Sequence, residues 1–83
     1  MDLKERIQLK ADEYYGEVLR IRRHLHMYPE RSFGEEATSA FIRNLLDKWG
    51  IPYRYPFVGT GLVAEIAGEN LQGPVIALRT DMD

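Results

Sequence analysis

The stretch that most constrains this chain is Pro74–Asp83, PVIALRTDMD. Gly73-Pro74 opens it, and Val75, Ile76, Ala77 and Leu78 follow as an unbroken apolar run. A run of that length after a turn signal predicts a strand buried on both faces, as in the interior of an α/β sheet. Asp81 and Asp83 then stand just past its carboxyl end, separated by Met82. In open α/β sheets that rim is where ligands and catalytic groups collect. Carboxylates there can bind a hard cation, orient a metal-bound side chain, or merely serve a turn or a helix cap.

A buried strand needs layers around it, and the preceding sequence offers two helices. From Leu3 to about Met27, apolar residues recur at Ile7, Ala11, Tyr14, Val18, Ile21, Leu25 and Tyr28, a spacing of four and three that draws one stripe along a helix. Gly16 interrupts it at a cost of roughly 1 kcal/mol relative to Ala. Pro29 ends it, since the residue before a proline resists the α conformation. A second helix is predicted over about 33–49. Ser32 and Glu35 have the spacing of a capping box, and Ala37, Phe41, Leu45 and Trp49 share a face that Ala40, Ile42 and Leu46 widen. Gly50 stands where a left-handed residue closes a helix, and Pro52 follows.

Beyond Pro52 the period changes to two. Tyr53, Tyr55 and Phe57 alternate with Arg54 and Pro56, which suits an edge strand. Gly59-Thr60-Gly61 reads as a turn or tight crossing, Leu62–Ala67 as a second strand, Gly68–Gly73 as a polar turn and Val75–Arg79 as a third strand. The short connection pairs the last two as an antiparallel hairpin. The predicted order is α-α-β-β-β, with both helices on one face of the sheet.

Several function classes are excluded by composition. A net charge of −2 without a basic run gives no footprint for nucleic acid. The N-terminal MDLKERIQLK is charged at nearly every other position, so it is neither a signal peptide nor a membrane span. There is no cysteine, hence no disulfide and no thiolate ligand, which suits the cytoplasm. His24 and His26 project about 200° apart on a helix and cannot chelate one ion. Pro29 breaks the helical spacing between His26 and Glu30, and zinc sites need at least three protein ligands. His26 therefore reads as a packed, hydrogen-bonded side chain, and Arg22, Arg23, Glu30, Glu35 and Glu36 as a polar junction between the helices.

Taken together, four motifs resemble a known group. They are Arg23-x-Leu25-His26-x-x-Pro29-Glu30, Glu35-x-x-Thr38, Gly59-Thr60-Gly61 and Leu78-Arg79-x-Asp81-Met82-Asp83. In order and spacing they are similar to the N-terminus of the metal-dependent N-acyl-amino-acid amidohydrolases, among them hippurate hydrolases, auxin-conjugate hydrolases and aminoacylase-like members of the co-catalytic zinc peptidases. The resemblance covers nearly all of this chain and roughly the first fifth of a family member. It implies that residues 1–83 are the opening portion of a zinc-peptidase-like α/β catalytic domain, incomplete without its remainder and an inserted dimerisation domain. It also implies hydrolysis of the amide of a small N-acyl amino acid or related peptide-like substrate. Two divalent ions, zinc or manganese, would activate water in the full-length family, whose members are often homo-oligomeric. The family's metal ligands fall downstream of the last motif, so no metal is expected on this stretch and its substrate-binding residues are not identified. Related peptidases carry a ligand His at the position of Asp81, while Asp83 matches the acid that orients the site. Asp83 is thus the one supporting site residue the resemblance assigns, and the 83 residues alone are expected to be inactive. The alternative is a non-catalytic interaction module that uses an exposed sheet face.

Overall fold

A computed structural model describes residues 1–83 and contains four elements in the order α1 (Leu3–Met27), α2 (Glu36–Trp49), β1 (Tyr53–Phe57) and β2 (Gly61–Ala64). The long first helix has the predicted bounds. Asp2 caps its start, its carboxylate accepting from the Glu5 amide at 2.8 Å. It closes with the Tyr28 amide donating to the His24 carbonyl, one residue before Pro29.

The apolar stripe of α1 does not become a core stripe, and no residue of this helix is buried. Its N-terminal half, with Leu3, Ile7 and Leu9, has no facing element. Further along, Tyr14, Val18 and Ile21 line an open groove of about 640 Å³ with Trp49, Ile51 and Ile66 opposite. Only near its end does α1 meet α2. There the His24 ring stacks on Phe41, centroids 3.8 Å apart and planes 10° from parallel, with the Tyr28 ring tilted by 52° at 5.0 Å.

The second helix starts three residues later than its capping-box spacing predicts. Glu35 occupies the N-cap but makes no side-chain cap bond, and Ser32 does not contact the helix start. The free amides are taken by Glu30 instead, which accepts from Ala37 at 3.2 Å and from Thr38 at 2.6 Å. Gly50 closes the helix at φ 68°, ψ 27°, as predicted, a conformation that carries no Cβ penalty in glycine. The buried line on α2 is Thr38, Ser39 and Leu46, displaced from the Phe41–Leu45 face that periodicity favours. Ser39, fully buried, accepts from Arg43 Nε, and the Arg43 guanidinium lies 3.9 Å from the centroid of the Tyr55 ring. That cation–π contact fastens α2 to β1. The Tyr53 phenol is held above its ordinary value of 10 by loss of solvent and then by its hydrogen bond with Asp47.

The sheet has two antiparallel strands, with Tyr53 opposite Ala64, Arg54 opposite Val63 and Phe57 opposite Gly61. An irregularity lies between Arg54 and Phe57, where Pro56 has no amide to donate. The turn carries positive φ at Val58 (51°) and Gly59 (86°), the left-handed geometry that suits a twisted hairpin. Gly61 is required by space, because a Cβ there would stand 2.7 Å from the Phe57 carbonyl oxygen.

Two strand expectations are corrected. The second strand spans Gly61–Ala64, shorter than Leu62–Ala67. The predicted third strand, Val75–Arg79, is irregular and pairs with nothing, so the hairpin is β1–β2. Its run is apolar enough for a central strand, but a central strand needs a ladder on each side, and the single hairpin here provides no such slot. Val75 is 96% exposed and Leu78 97%. The architecture is therefore mixed α and β, with the two helices touching at one end and a hairpin packed on α2.

Candidate functional site

Two of the groups singled out by sequence, Glu30 and Asp83, make their contacts at the loop between the helices, residues 28–35. Met82 is half-buried although the residues on both sides are exposed, so the end of the chain folds back at that point. Beside it, the Ser32 hydroxyl donates to the Asp83 carboxylate across 51 positions of sequence. The acid placed at the site by resemblance is therefore held by the helix–helix loop. Asp81 is turned to another task. It pairs with Arg79 at 2.8 Å, both side chains open to solvent.

Glu30 supports the same loop. Its carboxyl lies below the ordinary value of 4.5, because the Thr38 hydroxyl and then the Thr38 and Ala37 amides donate to its charged form. Glu35 is buried, and its Oε1 has no partner. Phe33, between Ser32 and Gly34, has a left-handed backbone (φ 66°) and is 79% exposed. A bulky side chain at positive φ is an outlier that surrounding contacts must enforce. Here the enforcing contacts are Ser32 on Asp83, Glu30 on α2, and the Gly34 amide on the Arg31 carbonyl at 2.9 Å.

Other expectations fare differently. His26 is exposed rather than packed, and the packed histidine is its neighbour His24. The polar junction of Arg22, Arg23, Glu30, Glu35 and Glu36 forms no ion pair; Glu30 binds backbone amides instead. No three His, Cys, Asp or Glu side chains come together in a way that would hold a metal ion. A pair of divalent ions therefore does not fit the donors of these 83 residues. What the cluster can do is orient a carboxylate and rigidify a loop. The Ser32–Asp83 contact carries no local sequence signal, since the capping-box spacing assigns Ser32 elsewhere.

Comparison with known proteins gives one consistent result. The chain is 51% identical over 67 residues to N-acetyl-L-cysteine deacetylase of Bacillus subtilis, covering 81% of this chain and 16% of that protein. It is 39% identical over 80 residues to the N-acyl-L-amino acid amidohydrolase of Geobacillus stearothermophilus, covering 96% and 21%. It is 43% identical over 75 residues to IAA-amino acid hydrolase ILR1-like 2 of Arabidopsis thaliana, covering 89% and 16%. The resemblance to amidohydrolases drawn from the motifs is thus borne out, and the chain spans about a fifth of the length of the curated relatives it matches. No family model and no solved structure matches it. No helix is long and apolar enough to cross a membrane.

Proposed function

We propose that these residues are the opening part of the catalytic domain of an amidohydrolase that cleaves the amide bond of small N-acyl amino acids. The observation that carries the reading is the match, over most of this chain, to proteins named for that substrate class. The fold supports it by bringing the loop after α1 and the terminal D-M-D motif, both part of the resemblance, to one place. In this reading Asp83 is a supporting acid at the rim of the active site. The zinc or manganese pair, the dimerisation domain and the zinc-peptidase-like parallel sheet are supplied by sequence beyond these 83 residues, and Val75–Arg79 becomes a strand of that sheet. The setting is cytoplasmic, and the working enzyme is a homo-oligomer.

The test is release of free amino acid from a panel of N-acetyl, N-benzoyl and N-indoleacetyl amino acids. The polypeptide that carries this sequence is assayed at its natural length beside the 83-residue chain. Activity in the first and none in the second is the expected outcome. No hydrolysis of any member by the longer polypeptide would overturn the reading. A second reading, an interaction module, draws on the exposed Val75–Leu78 run. It predicts concentration-dependent association of the 83-residue chain, and a monomer by analytical ultracentrifugation would dismiss it.

A further inference from the structure

The geometry points to Ser32 as a positioning residue that fixes the Asp83 carboxylate against the α1–α2 loop. The inference rests on the proposed hydrolase reading for its consequence in catalysis, but its structural half stands independently. Three observations carry it. The Ser32 hydroxyl donates to Asp83 although the sequence spacing assigns that hydroxyl to the α2 cap. The cap is satisfied by Glu30, which frees Ser32. The neighbouring residues are set for this: Phe33 is left-handed at φ 66°, and Met82 is half-buried in an otherwise exposed terminal stretch. A carboxylate at the end of an irregular segment samples many orientations. One hydroxyl donor on a loop that Glu30 anchors to a helix selects among them, and preorganisation of that kind is what a catalytic site requires of its supporting groups.

Contact and consequence are tested separately. A Ser32→Cys/Asp83→Cys pair introduced into the natural-length polypeptide, with the unsubstituted polypeptide as the blank, gives a cross-linking readout of the contact. Mild oxidation is expected to form an intramolecular disulfide in most molecules, seen as a mobility shift that reductant reverses. A Ser32→Cys/Leu78→Cys control is expected to stay largely reduced. Equal cross-linking of the two pairs would overturn the tether. In the natural-length polypeptide, Ser32→Ala is expected to lower kcat about tenfold, the small end of the loss seen when a group orienting a site is removed. KM and the melting temperature should hold, and Ser32→Thr, which keeps the hydroxyl, should recover most of the rate. An active parent whose Ser32→Ala variant matches it would refute the positioning role and leave the hydrolase reading intact. A parent inactive on every substrate would remove the catalytic consequence together with that reading, while the cross-link still decides the contact.

Discussion

Leu46 is the single apolar side chain that the fold buries, at 9% exposure. Its truncation is therefore the sharpest test of where cohesion resides. Leu46→Ala removes a side chain whose burial contributes about 1.5–3 kcal/mol, and the cavity left behind adds to the cost, so such changes span about 2–5 kcal/mol. The surroundings here are thin and open, so the site can collapse and the lower end, about 2–3 kcal/mol, applies. At about 0.05 kcal/mol per residue, a chain of this size has a stability of about 4 kcal/mol. The substitution thus removes half or more of it, and at about 4–8 °C per kcal/mol the melting midpoint falls by about 10–20 °C. Trp49 is the only tryptophan and lies on the groove beside α2, so its fluorescence reports the transition directly. Val75→Ser, at a side chain 96% exposed, is the matched control and should change stability by less than about 0.5 kcal/mol. If Val75→Ser proved as costly as Leu46→Ala, the assignment of the core to the α2–hairpin contact would be wrong, and the terminal run would be packed.

Two further perturbations probe the loop and the hairpin. Gly61→Ala should destabilise by about 1–3 kcal/mol, because its Cβ meets the Phe57 carbonyl oxygen at 2.7 Å; an unchanged urea midpoint would refute the close approach. Glu30 has a lowered folded-state pKa, so its contribution is present above the unfolded value near 4.5 and is lost as pH falls through the folded value. Glu30→Gln should flatten the acid limb of the melting curve measured from pH 2 to 6, and an acid limb identical to the parent's would exclude Glu30 as its source.

The helices were legible because their signals are local. A four-and-three period and a proline after Tyr28 give α1 its limits, and a glycine followed by a proline gives α2 its end. The start of α2 was misread because the capping-box spacing assigns its amides to Ser32, whereas Glu30 takes them from the loop. Val75–Arg79 lies outside the sheet for a different reason. Its composition suits a central strand, yet strand formation is decided by neighbours, and composition carries no information about whether they are present. Of the candidate site, the motifs identified Asp83 but not the serine that holds it, because a contact between positions 32 and 83 leaves no periodic trace in sequence. The two histidines, two positions apart, exchanged roles. Both lie in the last turn of α1, and only the arrival of Phe41 from α2 determines which is stacked.

The uncovered Val75–Leu78 run has a consequence for solubility. A bare β-prone segment is the kind of sequence on which cross-β aggregates nucleate. Here it is only four residues long, and both flanks carry gatekeepers. Pro74 has no amide to add to a growing ladder, and Arg79 and Asp81 place charge directly after the last leucine. A stacked, in-register fibril would superpose like charges every 4.7–4.8 Å along its axis. The same punctuation that marks the ends of the run in sequence thus works against in-register stacking of its copies.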